Sequence, residues 1–221
     1  MEASFWHDRW QAGQTGFHQN RVHPLLIEHW AALDVVEGGA VLVPLCGKSK
    51  DMGWLAGQGH SVVGVELSPI AAKDFFAEAG ILVETSPAIP FQVFKGAGVS
   101  IYCGDFFQLS VDHVGQLDGV YDRAALVALP SNMRADYARK LVGLAAGAPI
   151  LLITLDYDQP LMEGPPFAVS DADVHELFAR DYSVELLAQA DALKSEPKFA
   201  ERGLTWLTER VYRLVSRQRS A

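Results

Sequence analysis

The sequence predicts an α/β fold built on one doubly wound, mostly parallel sheet with helices on both faces. Three observations carry this. Between residues 40 and 155 apolar runs of strand length alternate with stretches of helical periodicity, the pattern of βαβ units. The first run ends in a turn that holds Gly47, and the second ends in Glu66, nineteen residues later. That spacing describes a nucleotide-binding βαβ unit, in which the turn lets backbone approach the ligand and the acid accepts hydrogen bonds from ribose hydroxyls. The third observation is Ala148-Pro149-Ile150-Leu151-Leu152-Ile153-Thr154-Leu155, the most hydrophobic run of all, which suits a strand covered on both faces.

Taken in order, residues 1–20 are rich in aromatics (Phe5, Trp6, Trp10, Phe17), and His23 to Leu33 shows helical spacing after Pro24. This segment precedes the first strand, so it lies outside the βαβ unit and is expected to act as a lid. A strand is expected at 40–44, a helix near 49–58 stopped by Gly59, a strand at 61–66, and a helix at 69–79 opened by Ser68-Pro69 and stopped by Gly80. Pro87, Pro90 and Gly96 mark 84–98 as a loop or a broken connection. Strands follow at 99–103 and 117–122, then a helix from Pro130-Ser131-Asn132 to about Leu144, and the strand at 148–155. After Gly164-Pro165-Pro166-Phe167 come a short helix near 171–179 and two strand-like runs, 182–189 and 204–215. Only a polar loop, 191–202, separates that pair, so they read as an antiparallel hairpin. No internal repeat or low-complexity segment is present.

Composition narrows the function. With 221 residues, 49% of them hydrophobic, the chain supports one substantial core, so 1–221 is read as a single domain with 1–34 as a helical segment covering the cofactor site. A net charge of -9 argues against nucleic acid as a partner, since phosphate binding needs clustered cations. A small-molecule substrate is expected instead. Two cysteines, Cys46 and Cys103, give no disulfide framework, and no run has the length of a signal or membrane segment, so a cytoplasmic protein without membrane contact is expected. His18, His23 and His29 lack zinc-helix spacing; they read as surface or capping residues, and no metal is expected.

The phosphate question separates the adenosine cofactors. A dinucleotide needs close backbone approach to a pyrophosphate, hence several glycines, whereas Leu45-Cys46-Gly47-Lys48 offers one. S-adenosylmethionine has no phosphate and needs separate contacts to adenine, ribose, sulfonium and amino acid. Glu66 is the ribose candidate. Asp105-Phe106, after the strand at 99–103, can meet adenine through a carboxylate and a ring, or Asp105 can cap a helix. Arg123, after the next strand, puts a cation at the carboxyl end of the sheet; the alternative is a solvated surface residue. An NAD-dependent oxidoreductase and a non-catalytic nucleotide-binding protein remain as readings from other classes.

At these residues the chain closely resembles the thiopurine S-methyltransferase family in its bacterial form. The matching pieces are Phe5-Trp6-His7-Asp8-Arg9-Trp10, Thr15-Gly16-Phe17-His18-Gln19, Pro44-Leu45-Cys46-Gly47-Lys48, the stretch from Gly59 to Glu66, Tyr121-Asp122-Arg123-Ala124-Ala125-Leu126-Val127-Ala128 and Gly164-Pro165-Pro166-Phe167. The resemblance implies a Rossmann-like class I S-adenosylmethionine-dependent methyltransferase fold, seven strands with one antiparallel. It implies methyl transfer to the sulfur of thiopurines and other aromatic or heterocyclic thiols. Tellurite or selenite is the alternative acceptor, in a detoxification role. It puts Trp10, Leu45, Glu66 and Arg123 at the cofactor, Asp105 and Phe106 at its adenine end, and Phe17 and Arg123 at the substrate. The C-terminal loop matches poorly, and Lys198 or Arg202 stands as its substrate-facing cation. No obligatory general base follows; Asp8 and Asp122 are candidate proton acceptors through water. A monomer is expected.

Overall fold

The computed structural model describes residues 3–217. Nine strands form one sheet: β1 Ala40–Val43, β2 Ser61–Glu66, β3 Glu84–Ala88, β4 Phe91–Gly96, β5 Val99–Cys103, β6 Gly119–Arg123, β7 Ile150–Asp156, β8 Tyr182–Asp191 and β9 Thr208–Ser216. Their order is β3-β4-β5-β2-β1-β6-β7-β9-β8. From β5 to β8 this is a seven-stranded sheet with one reversed strand, as expected: β9 runs antiparallel to both β7 and β8, and the other pairings are parallel.

Alternation along the strands buries both faces. On β1, Val41 and Val43 join one cluster with Met52, Leu55, Phe75 and Phe76, while Leu42 joins the opposite cluster with Tyr137, Leu141 and Leu144. The first set of partners comes from α3 (Lys50–Gly57) and α4 (Pro69–Glu78), and the second from α6 (Ser131–Ala145); the short α5 (Val111–Val114) precedes α6 in the chain and α7 (Asp171–Phe178) follows it. The helix starts are legible chemistry: Ser49 accepts from the Asp51 amide at the head of α3, and Ser68 from the Ala71 amide at the head of α4, with Pro69 at the first position. The 204–215 and 182–189 runs do pair as β9 and β8.

Two expectations fail. The 84–98 segment is not a loop but the antiparallel hairpin β3–β4, which extends the sheet beyond β5. Its punctuating residues are all compatible with strand: Pro90 sits in the turn, Gly96 ends β4, and Pro87 lies on an edge strand with one hydrogen-bonding neighbour. The other concerns the polar loop after β8. It holds a short helix, α8 (Pro197–Glu201), and the last strand begins at Thr208 because Leu204 and Leu207 turn away to bury against Phe199, Tyr157 and Met162.

Before β1 lie α1 (Ala3–Gln11) and α2 (Pro24–His29), the latter continuing into a turn of 3-10 helix, Trp30–Leu33. Leu26, Trp30 and Leu33 pack into the cluster under α3. Polar ties fix this segment too: the His23 amide donates to Asp51 Oδ1 at 2.8 Å, and Trp30 Nε1 donates to His60 Nε2 at 3.0 Å. Among the described residues no helix is long and apolar enough to cross a membrane.

Candidate functional site

A cavity of about 960 Å³ opens where the parallel strands end. Leu45 and Gly47 after β1, Glu66 at the tip of β2, Arg123 at the tip of β6 and Leu155 near the end of β7 supply its base. Trp6, Trp10 and Phe17 from the N-terminal segment, and Lys198, Phe199 and Arg202 from around α8, supply further walls.

The turn after β1 is shaped by backbone conformation. Leu45 and Gly47 both have left-handed φ angles, +46° and +53°. Glycine takes that conformation freely, whereas at Leu45 it carries strain of about 1 kcal/mol. A Cβ on Gly47 would meet the Trp10 ring at 3.4 Å, so the N-terminal aromatic wall lies directly against this turn. One residue holds this loop to the neighbouring strand: Glu66 accepts from the Gly47 amide at 2.8 Å through Oε2 and from the Ser68 amide at 2.7 Å through Oε1. Burial pushes the Glu66 carboxyl up, and those amides oppose the rise. Each carboxylate oxygen keeps a second lone-pair site, enough for a pair of vicinal hydroxyls.

The aromatic wall is interlocked. Phe17 meets Trp10 edge to face at 5.5 Å and Trp6 at 5.6 Å between centroids. Trp10 is buried, and Lys48 Nζ lies 6.0 Å above its ring while binding Glu78 at 2.6 Å. Asp105 lines the cavity and also does what its alternative reading required: its Oδ1 caps a 3-10 turn by accepting from the Phe107 amide at 2.9 Å. Phe106 lines the cavity with its ring 5.0 Å from that of Tyr137.

Four cavity arginines, Arg9, Arg21, Arg123 and Arg202, make no hydrogen bond or ion pair to a described residue, and of these Arg123 is the one carried at the tip of a parallel strand. Lys198 differs: it donates to the Gly16 carbonyl at 3.2 Å and pairs with Glu196 at 2.9 Å, and Gln19 reaches the same Glu196 at 3.1 Å. The C-terminal loop thus clasps the N-terminal one across the cavity.

The structure therefore brings Trp10, Phe17, Leu45, Glu66, Asp105, Phe106 and Arg123 onto one cavity. It leaves Asp8 and Asp122 off it. Asp8 is exposed on α1, and Asp122 is fully buried, accepting from Tyr137 Oη at 2.7 Å and the Leu126 amide at 3.2 Å. Burial lifts the Asp122 carboxyl from 3.8 to about 6, against the pull of those two donors.

Sequence reasoning missed a polar group at the other side of the cavity. His23 Nε2 lies 3.3 Å from Glu209 Oε1, and Tyr121 Oη donates to Asp51 Oδ2 at 2.9 Å, with His23, Tyr121 and Glu209 all on the cavity. Of the two readings given to His23, surface or capping, the surface one fails: it stands at the N-cap position of α2 and is 5% exposed. A signal for Glu209 did exist: it is in phase with Val211, a core residue, so β9 turns an acid to the same face.

Residues 1–218 match the family model of thiopurine S-methyltransferase. The thiopurine S-methyltransferase of Bordetella petrii is 53% identical over 215 residues, which is 97% of this chain and 98% of that one. That of Azotobacter vinelandii is 49% identical over 218 residues, 98% of this chain and 100% of its own. Among solved structures, the fold is similar to Burkholderia thailandensis 1,6-didemethyltoxoflavin-N1-methyltransferase with bound 1,6-didemethyltoxoflavin and S-adenosylhomocysteine, at TM-score 0.63 and 15% identity over 96% of this chain and 87% of that one. It is similar too to a magnesium protoporphyrin IX methyltransferase from Synechocystis with bound SAH, at TM-score 0.61 and 14% identity over 97% and 99% of the two chains. With its single-glycine turn, its strand-tip acid and a family match over nearly its whole length, the chain belongs to the thiopurine S-methyltransferase family and has the fold of an S-adenosylmethionine-dependent methyltransferase.

Proposed function

We propose that this chain moves the methyl group of S-adenosylmethionine to the sulfur of a thiopurine or another aromatic or heterocyclic thiol. The observation that carries the reading is Arg123: an unpaired guanidinium at the tip of β6, in the same cavity as the interlocked rings of Trp10 and Phe17. A cation there favours the anionic form of a sulfur nucleophile, and an aromatic ring face or edge suits a planar acceptor. A cavity of about 960 Å³ favours an organic ring over a compact tellurium or selenium oxyanion.

The residues fit the donor. Glu66 keeps lone pairs for the ribose diol, the single Gly47 turn leaves no pyrophosphate nest, and Asp105 with Phe106 lies on the next strand end for adenine. Leu45 and Trp10 pack beside the turn, where an aromatic face suits a sulfonium cation. When bound, S-adenosylmethionine supplies an electrophilic methyl on a good leaving group. The chain's part is to hold the acceptor sulfur in line at near-attack distance and keep water out, with Phe17 against the acceptor ring and Arg123 at its sulfur. Arg202, unpaired on the cavity, is the better second cation than Lys198, which is committed to Gly16 and Glu196. The N-terminal segment to residue 34 serves as the lid of a single cytoplasmic domain acting as a monomer.

The test is direct. Purified protein is incubated with labelled S-adenosylmethionine and a panel of thiopurines, aryl thiols, tellurite and selenite. Methylated thiols are expected; product from the oxyanions alone, or from nothing, refutes the reading.

A further inference from the structure

We infer that Glu209 is the proton acceptor for heterocyclic thione substrates, taking the ring N–H proton as their sulfur is methylated, with His23 as the residue that positions it. The inference rests on the methyl-transfer reading above and names the acceptor class it serves.

The need for a base follows from the chemistry of the acceptor. A heterocyclic thione carries hydrogen on a ring nitrogen and a C=S group, unlike an aryl thiolate. As its sulfur forms a bond to the methyl carbon, the sulfonium C–S bond of the donor breaks and its electron pair stays on the departing thioether. The methylated heterocycle is then a cation unless its N–H proton leaves. That cation would arise beside the guanidinium of Arg123, in a cavity walled by aromatic rings, where like charges are poorly screened. A carboxylate within reach of the ring nitrogen removes the problem by accepting the proton, and the product is a neutral thioether.

Among the described residues, four acids line the cavity: Glu66, Asp105, Glu196 and Glu209. Glu66 is committed to the Gly47 and Ser68 amides and its remaining lone pairs to the donor ribose, Asp105 to the Phe107 amide through Oδ1 and to Gln108 Nε2 at 3.5 Å through Oδ2, and Glu196 to Lys198 and Gln19. Among the described residues the Glu209 carboxylate has one hydrogen-bond or ion-pair partner, His23, at 3.3 Å on Oε1, which leaves Oε2 open. It is also well placed relative to Arg123. Arg123 pairs in register with Ile153 of β7, and Glu209 pairs with Leu155, two residues further along that strand, so the two flank the end of β7 at the cavity. The two can then address the sulfur and the ring nitrogen of one small planar molecule.

The surroundings hold the carboxylate rigidly. Glu209 pairs in register with Leu155 of β7, itself a cavity residue. His23 is fixed by its own amide, which donates to Asp51 Oδ1, and Asp51 Oδ2 in turn accepts from Tyr121 Oη. A general base contributes typically 10²- to 10⁴-fold when so positioned.

The experiment compares two acceptors in wild type and Glu209→Gln: a purine-6-thione, which has the ring N–H, and 4-nitrothiophenol, which is an anion at neutral pH and has none. Binding of S-adenosylhomocysteine by calorimetry and the thermal melt are recorded alongside. The ratio of kcat/KM for the thione to kcat/KM for the thiolate should fall by about 100-fold in Glu209→Gln, with the S-adenosylhomocysteine affinity held within about twofold. An unchanged ratio overturns the inference, because a structural role would lower both acceptors together. Should Glu209→Gln not fold, Glu209→Asp keeps a carboxylate toward His23, and the same ratio is expected to fall by a smaller but measurable factor; an unchanged ratio there overturns the inference equally. Wild type that methylates neither acceptor defeats the methyl-transfer reading itself, whereas wild type that methylates both with an unchanged ratio in the variants defeats only the role of Glu209.

Discussion

Asp122 gives the sharpest test of how burial, not reactivity, sets a carboxyl in this fold. The perturbation is Asp122→Asn, which keeps shape and can still accept from the Leu126 amide, while its amide nitrogen meets the Tyr137 hydroxyl. In the folded chain the Asp122 carboxyl is lifted from 3.8 to about 6, chiefly by burial. A folded value above the unfolded one means that the folded state binds the proton more tightly, so the stabilisation is full below about pH 4 and is lost as pH rises to about 6. A rise of about two, at about 1.4 kcal/mol for each, makes the ionised buried group cost about 3 kcal/mol at neutral pH.

Asparagine carries no such charge. Urea unfolding of the two proteins at pH 4.5 and pH 7.5 should therefore show the variant gaining on wild type by about 2 kcal/mol over that interval, the part of the total that falls inside it. Glu66, whose carboxyl is raised for the same reason, is present in both proteins and cancels in the difference. A difference that stays flat, or grows toward acid, refutes the reasoning. So does a 100-fold loss of turnover at unchanged S-adenosylhomocysteine affinity, since Asp122 does not line the cavity and both its oxygens are engaged by the chain.

Other substitutions probe other links. Glu66→Ala strands the Gly47 and Ser68 amides and removes the ribose acceptor; at about 1.5–3 kcal/mol for each charged hydrogen bond, S-adenosylhomocysteine binding should weaken by at least about 100-fold in calorimetry, and unaltered binding would remove Glu66 from the site. Gly64→Ala would drive a Cβ to 2.8 Å from Cys46 Sγ and 3.0 Å from Met52 Sδ, so overpacking of about 1–3 kcal/mol should lower the melting temperature by roughly 2–12 °C, whereas an unchanged melt would show that both sulfurs move aside freely. Lys198→Met breaks the clasp to the Gly16 carbonyl and Glu196; stopped-flow displacement should then give S-adenosylhomocysteine release a few-fold faster, and an identical rate would mean that the clasp does not gate the cavity.

What the sequence made legible was local or periodic. β1, the turn at Gly47 and Glu66 lie within one βαβ unit, so spacing alone joined them. The central strands declared themselves because they are apolar on both faces, and α4 because Ser68-Pro69 is a helix start in any context. The β3–β4 hairpin was hidden by the same punctuation rules, since prolines that forbid a central strand are tolerated in a turn and on an edge. The short helix α8 was hidden for another reason. Five residues give no periodicity, and Phe199 is held by Leu204 and Leu207 rather than by any pattern of its own.

The acids of the cavity show why the acceptor side stayed illegible. Four carboxylates face one space, and residue type separates none of them; what separates them is what already sits on their lone pairs. Glu66 and Asp105 are engaged by amides a few residues away or across one loop, contacts that strand-end and capping rules anticipate. Glu196 and Glu209 are engaged from the opposite end of the chain, by Gln19 and His23, and only the closed sheet brings those ends together. His23 is itself defined by Asp51 and Tyr121, from two further elements. A donor site carried by one βαβ unit is therefore readable from spacing. An acceptor site assembled from β6, β9, α3 and the N-terminal segment exists only as a set of distances, and Glu209 becomes chemically distinct only once they are known.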